Sequence, residues 1–223
     1  MLQRGEKLSV LAYRRIEEMI LSGELKPGER LNEHRFSAAN GLSRGPVREA
    51  CRALERAGLV VAIQARGVFV REVSERQLDE IYDLRSILTG LMCGYAAERA
   101  GRKACDVLRK LNDEMRAASA RGDQDAYYEA NLRFHEGIAD MADNETTRRV
   151  YDGLVKETHA HRIAVLSPGD SIAEHDAIVT AIAAGDREQA RRLGEAHVSA
   201  GKRRWHERRA AKAGPSPEKE KKR

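Results

Sequence analysis

The punctuation of residues 77–209 constrains this chain most. Apolar residues recur there with helical spacing, and the breaks fall at Gly101, Gly122-Asp123, Asp143-Asn144, Pro168-Gly169 and Gly185-Asp186. Glycine and proline end helices, while aspartate and asparagine cap the start of the next. The breaks therefore predict helices over 76–100, 103–121, 123–142, 145–166, 170–184 and 186–209. Six helices joined by tight turns make an all-α bundle.

The residues before this stretch follow another pattern. Apolar side chains at Leu8, Leu11, Ala12, Ile16, Met19 and Ile20 mark one face of a helix that Gly23 and Pro27-Gly28 stop. A short segment from Glu33 to Asn40 ends at Gly41. Ser43 then opens a third helix as N-cap, with Pro46 in its first turn and an inner face of Val47, Ala50, Cys51 and Leu54. Two β-rich runs follow, residues 59–63 and 68–70, separated by Gln64-Ala65-Arg66-Gly67, a hairpin pattern. Three helices and a two-stranded hairpin make a winged helix-turn-helix. The expected fold is thus mainly α. A winged helix-turn-helix occupies residues 1–73, an all-α six-helix bundle 74–209, and a disordered basic tail 210–223.

Charge follows the same division. The net charge of +5 resolves into +4 over residues 1–73, −6 over 74–201 and +7 over 202–223. Basic ends flanking an acidic middle imply regions with different partners. No run of about 18 apolar residues is present, which excludes a membrane-spanning helix. The segment MLQRGEKLSV lacks an apolar leader core, which predicts a cytoplasmic protein working at the bacterial nucleoid. Three cysteines, none in a CxxC pair, exclude a disulfide scaffold, and Cys51, Cys93 and Cys105 read as small packing residues.

On the third helix Arg44, Arg48 and Arg52 recur every four residues, opposite the apolar stripe. A helix lying in the DNA major groove needs one buried face and one face of long cationic donors. Arginine bonds guanine bidentately, worth about 1–3 kcal/mol of discrimination. The competing reading is a solvated face with Glu49 and Glu55 as pairing partners.

The string PGERLNEHRFSAANGLSRGPVREACRALERAGLV, followed by ARGVFV, resembles the N-terminal domain of GntR-type bacterial transcription regulators. The resemblance covers residues 8–72. It implies DNA contacts from Arg44 and Arg48 and an approach of the wing-tip Gly67 to the minor groove; Ser43 and Arg52 on the third helix, Arg35 on the short helix and Arg66 beside Gly67 complete the expected DNA-binding set. Two positions depart from the family pattern, His34 where arginine is usual and Gly45 where threonine is common.

The helical half carries a second constellation. Asn131 and His135 lie four residues apart on one helix face. His175 shares a stripe with Ile172, Ile178, Val179 and Ile182, and His197 follows Leu193 on another helix. Three inward histidines on three helices can converge on a metal ion, or can each be a hydrogen-bonded core residue. The pattern NxxFH, then EHxxIxxAIxxGDxxxA, then His197 is similar to the FCD-type ligand-binding domain of the FadR-like branch of that family. The resemblance implies a divalent metal, Zn²⁺ or Ni²⁺, held by Asn131, His135, His175 and His197. Aspartate is commoner in the family at the position of Asn131. The resemblance also places Arg85 at the effector cavity as a carboxylate anchor, with Thr89 standing where the family has glutamate. Pairing with Asp83 is the alternative for Arg85. His159 and His161 read as surface or supporting residues.

The enzymatic competitor uses the same histidines. His175-Asp176 is an HD dipeptide, as in helical metal-dependent phosphohydrolases, although Asp176 projects about 100° round the helix from His175. There is no GxxxxGK[ST], HExxH, GxSxG or Rossmann fingerprint. A third class, a nonspecific nucleoid or RNA binder, would act through the basic termini. The expected protein is not an enzyme. It is expected to be a homodimeric regulator, a repressor of a double-stranded, pseudo-palindromic DNA operator, answering to a small carboxylate effector with a bound metal, and not engaging membranes.

Overall fold

The computed structural model describes residues 7–158 and 168–213. They form two compact units: residues 7–78 with residues 152–158, and a helical unit of residues 79–151 and 168–213.

In the first unit, α1 (Leu8–Leu21), α2 (Glu33–Ala39) and α3 (Arg44–Arg56) are followed by β2 (Val60–Ile63) and β3 (Gly67–Val70). The sheet has one strand more than the hairpin pattern predicts. Residues Arg30–Leu31 form β1, which pairs antiparallel with β3, Arg30 opposite Phe69 and Leu31 opposite Val68. A two-residue strand carries no readable alternation, so only its pairing reveals it. The strand order is β1-β3-β2. Ala12, Ile16, Leu31, Phe36, Val47, Ala50, Cys51, Leu54, Val68 and Val70 share one core. The buried face of α3 is the one expected. On α1 the buried arc is Ser9, Ala12 and Ile16, while Leu8 and Leu11 stay exposed.

The second unit comprises α4 (Glu75–Arg99, entering from Asp79), α5 (Arg102–Arg121), α6 (Gln124–Ala142), the first half of α7 (Glu145–Glu157), α8 (Pro168–Ala184) and α9 (Arg187–Ala213). Helix α5 ends at Gly122, whose left-handed backbone (φ 70°) reverses the chain. Asp123 then caps α6 by accepting from the Ala126 amide at 3.0 Å. The α7 helix ends at Glu157, and the remainder of the predicted 145–166 span, with His159 and His161, lies outside the described residues. Helix α9 runs to Ala213, four residues beyond the predicted end, because alanine, arginine and lysine favour helix even where nothing packs. Residues 214–223 lie outside the described set.

Helices α4 and α9 approach closely through glycines. A Cβ on Gly90 would lie 2.9 Å from the Arg191 carbonyl oxygen and against Glu195, and one on Gly194 would lie 2.8 Å from Cys93 Sγ. Backbone cannot retreat as a flexible side chain can, so Gly90→Ala should destabilise the protein by about 1–3 kcal/mol, the usual cost of overpacking. Urea denaturation checks this, and a stability equal to wild type would contradict the close packing.

Candidate metal centre and nucleic-acid interface

Helix α6 carries Asn131 and His135 on its buried face, α8 carries His175, and α9 carries His197. The three imidazoles come together. Their ligand nitrogens lie within 4.8 Å of one another, and ring centroids are 5.3 Å apart for His135–His175, 5.2 Å for His135–His197 and 4.6 Å for His175–His197. Phe134 stacks on His175 with centroids 4.2 Å apart, closing one side with apolar surface. Asn131 is buried one helical turn before His135.

Glu174 Oε2 accepts from His197 Nδ1 at 2.6 Å. Arg204, two turns further along α9, grips the same carboxylate at 2.7 Å (Nη1 to Oε1) and 3.1 Å (Nη2 to Oε2). Burial opposes ionisation of Glu174, but the His197 and Arg204 hydrogen bonds overcome it and draw the carboxyl down to about 2. Burial pushes the His197 imidazole below its ordinary range, against the pull of Glu174 and with the help of the Arg204 and Arg85 charges.

Arg85 on α4 is 4% exposed, and neither Nε nor Nη1 finds a hydrogen-bond partner. It is not paired with Asp83, whose carboxylate takes Lys202 at 2.7 Å. The guanidinium lies over the rings of Tyr82 and Tyr151, at 5.0 and 5.9 Å from their centroids. The Thr89 hydroxyl and the Tyr151 phenol are also buried without a hydrogen-bond partner among the described residues. Asp176 turns away from the histidines: it accepts from Asn112 Nδ2 at 2.5 Å and from Arg116 at 2.9 Å. The HD dipeptide therefore does not deliver a histidine and an aspartate to one centre.

In the winged unit Arg44, Arg48 and Arg52 are exposed along α3, and none is ion-paired among the described residues. Glu55, their proposed partner, instead accepts from the Ala62 amide at 3.0 Å. Ser43 occupies the N-cap position with extended backbone, but its hydroxyl makes no capping bond. Asn32 does cap α2, accepting from the amide of Arg35, which is exposed. At the wing tip, Ala65 (φ 59°) and Gly67 (φ 109°) make the reversal, with Arg66 exposed. A Cβ on Gly67 would lie 2.9 Å from Arg30 Nε. Arg30 thus stands beside the tip, a cation that sequence reasoning missed because β1 was not legible.

Two family models match the chain, one described as bacterial regulatory proteins of the gntR family over residues 8–70, the other as the FCD domain over residues 80–200. The chain belongs to the GntR family of regulators. Among relatives of this GntR protein is the uncharacterised HTH-type transcriptional regulator YdhC of Bacillus subtilis, 32% identical over 152 residues and covering 68% of each chain. A protein of Paenarthrobacter nicotinovorans named a probable D-xylose utilization operon transcriptional repressor is also 32% identical, over 184 residues and 81% of each chain. The Escherichia coli McbR/YncC structure shares the fold, with a TM-score of 0.77, 22% identity, and coverage of 92% of this chain and all (100%) of that one. The protein is a DNA-binding transcription regulator of winged helix-turn-helix and helical-bundle architecture, not an enzyme. No helix among the described residues is long and apolar enough to cross a membrane.

Sequence reasoning also missed Glu174 and Arg204. The one available signal was that Glu174 immediately precedes a candidate ligand. The cysteines of this GntR protein are buried, and burial pushes the Cys51 and Cys93 thiols up to about 12. Both should resist iodoacetamide at pH 8 in the native state and alkylate once urea unfolds the chain, as mass spectrometry can follow. Rapid native labelling of either would contradict this burial.

Proposed function

We propose that this regulator is a homodimeric, ligand-responsive repressor whose helical unit binds a small carboxylate with the help of a divalent metal. One observation carries the reading: three buried imidazoles converge close to a buried guanidinium whose Nε and Nη1 have no hydrogen-bond acceptor among the described residues. An unpaired buried charge is strongly unfavourable, so a site of this kind calls for an anion.

The residues present fit a metal. Neutral imidazole nitrogens suit Zn²⁺ or Ni²⁺, and His135, His175 and His197, with the Asn131 amide oxygen, would hold the ion. When bound, the ion supplies positive charge that attracts a carboxylate. Arg85 then offers a charge-assisted, bidentate hydrogen-bonding fork, with the Thr89 and Tyr151 hydroxyls as further partners. A set without an anionic ligand leaves the metal charge uncompensated. Asn131→Asp should therefore bind Zn²⁺ or Ni²⁺ more tightly in a direct titration, and equal affinity would contradict Asn131 as a ligand.

On the DNA side, Arg44, Arg48 and Arg52 would enter the major groove, Ser43 and Arg35 would contact the backbone at its edge, and Arg66 with Gly67 would reach the minor groove. Exposed, unpaired guanidinium groups on one face of α3 support this. Self-association is supported by the exposed Leu84 and Ile87, three residues apart on α4, Ile87 being 61% exposed. A two-fold dimer would match a pseudo-palindromic operator. Allosteric coupling of about 1–3 kcal/mol gives a change in operator affinity of roughly 5- to 150-fold on effector binding. The regulator named for the D-xylose utilization operon and one named as a gluconate operon repressor are called repressors, which supports that sign.

Two measurements test the reading. Arg48→Ala should abolish sequence-specific operator binding in fluorescence anisotropy while leaving the oligomeric state unchanged; retained specificity would overturn the assignment of α3. A thermal-shift screen of small carboxylic acids, with and without divalent metal, should raise the melting temperature of wild type but not of Arg85→Met. An equal rise in both would remove Arg85 from the site.

A further inference from the structure

The carboxylate of Glu174 touches His197 on one side and Arg204 on the other, and His197 and Arg204 lie seven residues, two helical turns, apart on the same side of α9. Glu174 itself precedes His175 on α8. One dipeptide thus supplies a candidate ligand and a group that bonds a second ligand on the neighbouring helix.

Hydrogen-bond geometry determines what Glu174 does to His197. An ionised carboxylate can only accept, so the 2.6 Å contact to Nδ1 requires that this nitrogen carry the proton. Nε2 is then the nitrogen with the free lone pair, turned away from Glu174. The fork of Arg204 occupies both carboxylate oxygens, which stops Glu174 from rotating, and Arg204 Nη2 reaches Ser171 Oγ at 3.4 Å as well. The side chains of His197, Glu174 and Arg204 are 10%, 27% and 15% exposed, so the network is largely shielded from competing water.

The charge balance agrees. Three imidazoles and an amide bring no negative charge to a divalent ion. Glu174 places a full negative charge one hydrogen bond behind a ligand, raising the basicity of that imidazole.

We propose that Glu174, clamped by Arg204, is a positioning residue of the metal centre: it holds His197 as the Nδ1–H tautomer and presents Nε2 to the ion. This rests on the metal-centre reading above. A simple inter-helix ion pair between α8 and α9 would contribute to stability but would leave the tautomer and the metal affinity unmoved.

The test uses the full-length protein. Zn²⁺ is titrated against a chromophoric chelator into wild type, Glu174→Gln, Arg204→Met and His135→Ala, with helical content checked by circular dichroism. Glu174→Gln should bind Zn²⁺ about 10- to 100-fold more weakly, the usual cost of losing such a partner, and Arg204→Met should lose less. His135→Ala should lose most. Long-range ¹H–¹⁵N spectra of metal-free wild type should place the His197 proton on Nδ1, a result that does not depend on any variant folding. Wild type that takes up no Zn²⁺, or His135→Ala that binds as tightly, overturns the centre and this proposal with it. Wild type and Glu174→Gln within two-fold of each other, or a His197 Nε2–H tautomer in wild type, overturns the positioning role alone.

Discussion

Burying polar side chains inside a helical bundle is the constraint on which the rest of the helical unit depends. An amide or hydroxyl moved from water to an apolar interior without a partner costs about 2–7 kcal/mol, and a charge costs more. The helical unit buries His135, His175, His197, Asn131 and Arg85 together, with Phe134 stacked against one of the rings. A bundle under selection for stability alone would place apolar side chains at such positions, as it does at Leu108, Met115 and Ile138. On the proposed reading, a ligand of opposite chemistry offsets the cost of this polar centre: a cation for the imidazoles, an anion for the guanidinium.

The winged unit obeys the complementary rule. Its core is mainly apolar, from Ala12 and Ile16 through Val47 and Leu54 to Val68 and Val70, with Ser9 and Ser37 as buried polar side chains, and none of its cations among the described residues is buried. Long guanidinium side chains on a surface helix lose little by remaining solvated, so they need a partner to be useful rather than to be stable. The two units thus differ in where they keep polar groups: the winged unit outside, where DNA binds, and the helical unit inside, where the proposed small ligand would bind. The acidic middle of the chain, at −6, fits a unit that stays off DNA, while the local +4 of the winged segment belongs to the one that binds it.

Much of this was legible in the sequence because it is periodic. The inner face of α3, the opposed Arg44, Arg48 and Arg52, and the stripes that carry His135, His175 and His197 all repeat at the helical period, and local spacing determines which face they share. What escaped lacks a period. Strand β1 is two residues long; Glu174 and Arg204 are 30 positions apart and meet only when α8 and α9 pack. Ser43 sits where an N-cap belongs yet leaves its hydroxyl unused, since backbone geometry and side-chain bonding are separate requirements. That Arg85 does not pair with Asp83 was equally invisible, because Asp83 stands two residues away and only the structure shows it engaged by Lys202.

The central claim is that the buried histidines hold a metal ion, and anomalous scattering tests it most directly. Crystals grown with Zn²⁺ and measured on both sides of the zinc edge should show one dominant peak. The account predicts that it lies about 2.0–2.1 Å from Nε2 of His197 and from one nitrogen each of His135 and His175. A map with no peak between the three rings, at full zinc concentration and with the rings ordered, would contradict it.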